Sequence, residues 1–305
     1  MDLKTLRASR KSDFSKITAE FDKADTGEGQ KKSYEDTRFW KPERDKAGNA
    51  TATIRFLNRT EGDELPWVKI WTHGFKGPTG RWYIENSLTT IGQPDPVGEL
   101  NMRLWNSTGD DNSPARKQAR DQKRKLSYIT NILVVNDPKH PENNGKVFLF
   151  KFGKKIFDKI MDKARPTFED EEPINVFDYW EGANFKLRMR QVEGYPNYDS
   201  SEFESPRPIA DDDEDILEVV KQQYALAEFN DPKNFKSYEE LKRKLDSVLS
   251  GDTMSETAAA VAEDDEPVMK PKAAPSKPAP TPKAKVVDDD DEDMMSYFKQ
   301  IAEDA

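Results

Sequence analysis

Residues 123–135 read KRKLSYITNILVV, so three cations lead directly into a hydroxyl, an aromatic ring and a β-branched run. Lys123, Arg124 and Lys125 have company: Arg116, Lys117 and Arg120 precede them in RKQAR, and Lys151 and Lys154 follow in KFGKK. Cations alone suit any phosphate. Cations threaded with rings (Tyr128, Phe148, Phe150, Phe152) suit unpaired nucleic acid, because a splayed base stacks on a ring at about 1–3 kcal/mol while Lys and Arg neutralise the backbone. Strand periodicity puts Phe148, Phe150 and Phe152 on one face. Some of them belong to a core, and the pattern leaves open which. A further patch is EGYPNYDSSEF, where Tyr195 and Tyr198 sit in a loop beside the alternating Arg188 and Arg190.

Catalytic readings fare worse. The chain has no cysteine and two histidines, His73 and His140, and it lacks a Gly-rich phosphate loop followed by Lys-Ser or Lys-Thr. The acidic runs EDEEP (169–173) and DDDED (211–215) could be drawn as Mg²⁺ ligands of a nuclease. They read better as a solvated loop and the acidic start of a helix. The expectation is a binder, not an enzyme.

The 305 residues carry a net charge of −10, unevenly spread. Asn112 to Lys163 holds 13 basic and 5 acidic residues, a balance of +8, whereas Gly251 to Ala305 holds 14 acidic and 6 basic, a balance of −8. A basic stripe is the footprint of a polyanionic partner. No apolar window is long enough to span a membrane, and MDLKTLRASRKS lacks the apolar stretch of a secretory signal. Absent cysteines fit a reducing compartment.

Three regions must position these groups. Residues 1–20 form a basic arm (Lys4, Arg7, Arg10, Lys11, Ser12) with Leu3, Leu6, Phe14 and Ile17 interspersed, too short for a stable lone helix. Residues 21–250 hold the folded core. Strand patterns run over 51–57, 67–75, 81–88, 128–135, 146–152 and 184–192, with helical patterns over 154–164, 215–229 and 237–250. Short strands with long irregular connections predict an α+β fold built on a small barrel. Residues 251–305 are a Pro/Ala-rich spacer ending in DDDDEDMMSYFKQIAEDA, where Met294, Tyr297, Phe298 and Ile301 have the spacing of a helix that docks in a partner's groove.

The strings KRKLSY, NILVVNDP, PENNGKVF, FGKKIFDKI, WEGANF and NYD, in that order, resemble the helix-destabilising single-stranded DNA-binding proteins of T-even-type bacteriophages. The likeness spans roughly residues 40–250. It implies an OB-fold barrel with added helices and a small His-containing subdomain, flanked by flexible termini. It implies cooperative, sequence-independent binding of single-stranded DNA in phage replication, recombination and repair, in the cytoplasm of the infected host. The arm would serve self-association, with RKS at 10–12 a reduced form of the KRKLS motif. The tail would contact replication and recombination proteins. The family's DNA-facing aromatics fall on Tyr128, Phe150, Tyr195 and Tyr198, and Ala119 stands where the family has another ring. Its zinc site of one His and three Cys retains only His73, with Ser87 and the segment GQPDPVGEL in place of the cysteines. No zinc is expected, since Ser is not a structural zinc ligand, and Trp71, Phe75, Trp82, Ile91 and Leu100 are expected to pack that region instead. An oxygen-rich site of His73, Asp95 and Glu99 is the alternative. An RNA-binding translational regulator using the same groove is the alternative function.

Overall fold

A computed structural model describes residues 36–168, 170–192 and 195–250. The arm residues Lys4, Arg7, Arg10, Lys11 and Ser12 and the tail residues Met294, Tyr297, Phe298 and Ile301 lie outside them. Eight strands make one antiparallel, curled sheet: β1 (Ala50–Phe56), β2 (Val68–Lys76), β3 (Trp82–Asn86), β4 (Lys125–Asn136), β5 (Val147–Phe152), β6 (Ala183–Val192), β7 (Tyr195–Asn197) and β8 (Glu202–Pro206). Among the described residues five α-helices accompany it: α1 (Pro96–Asn106), α2 (Pro114–Asp121), α3 (Lys154–Ala164), α4 (Asp213–Lys221) and α5 (Tyr238–Ser250). The fold is α+β, with no parallel pairing between named strands.

β4 is the spine. One edge pairs with β5, while the other serves β2 along its first half and β1 along its second. Strand periodicity then sorts its side chains. Tyr128, Ile132 and Val134 face a core shared with Ile54, Phe56, Phe150, Phe152, Phe185 and Leu187. Phe56, fully buried, meets Phe152, Phe177 and Phe185 at 5.7–5.8 Å between ring centroids. α3 closes this core with Ile156, Phe157 and Ile160. On the opposite face Ile129, Ile70 and Leu149 are covered by Leu226.

α1 and α2 begin alike, with an N-cap side chain followed by proline at the first helical position. Asp95 accepts from the amides of Val97 and Gly98 at 3.0 and 3.1 Å, and Ser113 from that of Arg116 at 3.3 Å. The helical pattern read over 215–229 stops early, at Lys221. Asn131 Oδ1 accepts from the Tyr224 amide at 2.9 Å and Asp63 from those of Leu226 and Ala227, so tertiary acceptors capture amides that a longer helix would use. A capping box heads α5: the Ser237 amide donates to Glu240 Oε2 at 2.9 Å, and the Glu240 amide to Ser237 Oγ at 3.4 Å.

Candidate nucleic-acid interface

The 116–125 cations gather where α2 delivers the chain into β4. Arg116 and Arg120, one turn apart, both lie over the ring of Trp105 in α1, at 4.5 and 5.6 Å. Asp111 partners Arg116, and its carbonyl accepts from Arg120 at 2.7 Å. Arg124 is buried against Trp71, 4.1 Å above the ring. Lys117 and Lys125 are exposed and Lys123 is half-buried. Each arginine in this run thus rests on a tryptophan face, a cation–π arrangement, while the lysines reach solvent.

Strand register extends the cluster. Ile129 pairs with Lys151 across β4 and β5, so Lys151 shares a sheet face with Lys125, four residues back along β4. Lys154 opens α3 directly afterwards, 3.2 Å from Asp158. Lys155, Lys159 and Lys163 then recur every fourth residue, which makes a stripe along one side of the helix. Lys159 Nζ donates to the Asp199 carbonyl at 3.1 Å, tying this stripe to the turn between β7 and β8. Beside that turn Tyr198 is half-buried against the core of the curled sheet, and burial pushes its phenol pKa up against the lowering influence of Arg44. Tyr195 is 76% exposed.

Two expected stacking rings are not at the surface. Tyr128 and Phe150 are 5% and 4% exposed. Tyr128 lies between Phe157, at 4.0 Å, and Phe152, at 5.6 Å, and Phe150 sits between Trp40 and Phe152. The reason is the pleat: residue 128 shares the inward face with 132 and 134, and register brings Phe150 and Phe152 to the same side. These rings build the core beneath α3.

Arg188 and Arg190 are exposed but stand elsewhere on the sheet. Asn136, Thr53 and Lys186 are level across β4, β1 and β6, so Arg188 lies past the end of β4 opposite to Lys125. Eleven residues of strand separate Lys125 from Asn136, on the order of 35 Å. Arg188 pairs with Glu202 at 3.0 Å and lines a shallow groove with Thr51, Asn136 and Lys186. The 116–125 cluster and the β6 arginines form two patches.

A family model described as "gp32 DNA binding protein like" matches residues 48–249. The chain belongs to this family. Over 235 residues it is 42% identical to the single-stranded DNA-binding protein of Enterobacteria phage T2, covering 75% of this chain and 76% of that protein, and equally to that of Enterobacteria phage T4. It is 39% identical over 98 residues to the single-stranded DNA-binding protein of Enterobacteria phage RB70, covering 32% of this chain and 79% of that one.

In this gp32-like chain the residues around His73 do not fit the zinc site that the resemblance implied. His73, 1% exposed, has Nδ1 2.9 Å from the Gln122 carbonyl and Nε2 3.2 Å from Asp95 Oδ1. Asp95 is already engaged at both oxygens: Oδ2 accepts from Ser87 Oγ at 2.9 Å and from the Leu88 amide at 3.1 Å, and Oδ1 caps α1. Burial works to raise the Asp95 pKa, but hydrogen bonding to His73, its charge, the Gly98 amide and the Ser87 hydroxyl outweigh it and hold the carboxyl below its ordinary value. Glu99 turns away and accepts from Tyr238 Oη at 2.7 Å, which pushes that phenol up to about 12. Among the described residues no three His, Asp or Glu side chains could hold a metal ion together. The packing here matches expectation in part: Phe75 stacks on Tyr83 at 5.0 Å and Leu100 packs against the same cluster, but α5 supplies Leu245 and Val248. Trp71 serves Arg124, and Trp82 is 36% exposed with Lys76 above it.

Sequence reasoning missed Trp105 as an arginine platform, and Lys155 and Lys159 as the link to the Tyr198 turn. The i+4 lysine spacing was visible in the sequence. Trp105 was not, because its helix was not recognised.

Proposed function

We propose that this chain coats single-stranded DNA without regard to sequence, cooperatively, during phage replication, recombination and repair. The observation that carries the reading is the clustering of exposed lysines about β4, β5 and the head of α3 (Lys117, Lys125, Lys151 and Lys155), with the half-buried Lys159 tied to the turn after Tyr198, in a chain of the gp32-like family. The lysines would track phosphates, and the tyrosines would stack bases that only an unpaired strand can offer. Neither group reads base edges, which accounts for sequence independence. Tyr128 and Phe150 act in this reading as the packed floor beneath α3 and not as stacking platforms. Arg188 and Arg190 are a second, separate phosphate contact for a strand that continues across β1 and β6.

The curled antiparallel sheet with its α3 lid is read as an OB-fold barrel, and the β2–β3 hairpin with α1 and α5 as a small subdomain built around His73. Residues 1–20 would link neighbours along the strand. Residues 251–305, with a charge of −8, would compete weakly for the lysine track and engage replication and recombination proteins once displaced. Preferential binding to the unpaired strand would draw duplex melting forward by mass action.

The test is titration of intrinsic fluorescence with poly-dT, a matched RNA homopolymer and a duplex. Tight binding to poly-dT, weaker binding to RNA and little to duplex is the expected order. Preference for RNA would assign the groove to a translational regulator, since only a 2′-OH-reading site favours RNA.

A further inference from the structure

Opposite in charge to the lysine track is a second surface that the DNA-binding reading does not use. Trp180 is 51% exposed and Leu217 is 56% exposed. Trp180 Nε1 donates to Asp213 Oδ1 at 3.0 Å, and Leu217 lies one helical turn beyond Asp213 on α4, so the two apolar side chains flank one carboxylate. Residues 211–218 contain six acidic and no basic residues. Among the described residues Asp213 and Glu214 form no ion pair.

The exposed tryptophan is held rigidly. The Asp178 carboxylate accepts from the amides of Trp180 and Glu181, both at 2.8 Å, and the Asp178 carbonyl accepts from the buried guanidinium of Arg55 at 2.7 Å. Gly182 completes the turn, because a Cβ there would meet the Asp178 carbonyl at 2.4 Å. A large ring anchored at its backbone and at Nε1, half in solvent beside an acidic helix start, is the anatomy of a binding hot spot: it loses little entropy on docking and buries much apolar area.

We propose that this Trp180–Leu217 face receives the basic arm, residues 1–20, of a second copy of the chain. The inference rests on the cooperative reading above and gives it a receptor. Charge selects the occupant: residues 1–17 carry five basic and two acidic residues, with Leu3, Leu6, Phe14 and Ile17 to meet the apolar centre. The same chain's tail, at −8, is repelled. On a coated strand the neighbour's arm stands at high effective concentration, so a weak contact suffices.

Charge exchange in the full-length protein tests this. Cooperativity is read as the ratio of affinity for poly-dT to affinity for dT8, which holds too short a strand for neighbours. The α4 pair Asp213→Lys with Glu214→Lys, the arm pair Arg7→Glu with Lys11→Glu, and Trp180→Ala should each lower cooperativity about tenfold, the equivalent of about 1.4 kcal/mol, while dT8 affinity holds. Combining both pairs should restore most of the loss, which a folding defect cannot mimic. If the arm pair lowers cooperativity while the α4 pair and Trp180→Ala do not, or if the combined variant shows no restoration, the receptor is elsewhere and the proposal is overturned. If the arm pair itself has no effect, the reading of the arm as a self-association device fails, and the receptor with it.

Discussion

Phe157 lies flat on Tyr128, with ring centroids 4.0 Å apart and planes 4° from parallel. This contact seats α3 on the sheet, and α3 carries the stripe of Lys155, Lys159 and Lys163, which Lys159 ties to the turn after Tyr198. Phe157→Ala should therefore cost about 2–4 kcal/mol in urea unfolding and weaken poly-dT binding beyond the loss of stability. A stable variant with unaltered DNA affinity would show that α3 is not part of the track.

The His73–Asp95 contact makes a different prediction. A carboxyl whose folded pKa is depressed contributes stability that is complete above its unfolded value, near 3.8, and is lost as pH falls through the lower folded value. Asp95→Asn should destabilise the protein at neutral pH by about 1–3 kcal/mol, and the gap to the parent should narrow as pH drops below about 4. Urea midpoints across pH measure it. EDTA should leave the melting temperature of the parent unchanged, and stoichiometric zinc in the purified protein would contradict the donor set described here.

Arg124 separates packing from phosphate binding. Its guanidinium is buried on Trp71 while its neighbours Lys123 and Lys125 reach solvent. Arg124→Lys keeps the charge but loses planar stacking, at about 0.5–2 kcal/mol. The expected result is a lower unfolding midpoint with an unaltered salt dependence of DNA binding.

Much of this architecture was legible beforehand, and the failures have physical causes. β1–β6 match the patterns read from alternation because each has one face on a core. α1 and α2 were passed over because Asp95-Pro96 and Ser113-Pro114 are turn formers and helix starters alike, and only the following residues decide. The burial of Tyr128 and Phe150 could not be settled from periodicity, which says that two residues share a face but not which face is inward. The His73 cluster unites β2, the turn after β3 and the heads of α1 and β4, so no local window contains it.

The acidic tail gives a prediction that needs no structure of its own. Removing residues 251–305 takes away a net −8 and should raise affinity for dT8 at low salt. The advantage should fade as the Debye length shrinks toward about 8 Å near physiological ionic strength. Equal affinities at low salt would dismiss competition between tail and DNA.

The lysine track itself is most directly examined by the salt dependence of poly-dT affinity for the parent and for a variant with Lys117, Lys125, Lys151 and Lys155 all changed to Ala. Each phosphate contact on a single strand contributes about 0.7 to the log–log slope. The account predicts a slope shallower by about 2.8 for four lost contacts, with the unfolding midpoint little altered. A parent affinity indifferent to salt, or a variant with the parent's slope, would contradict it.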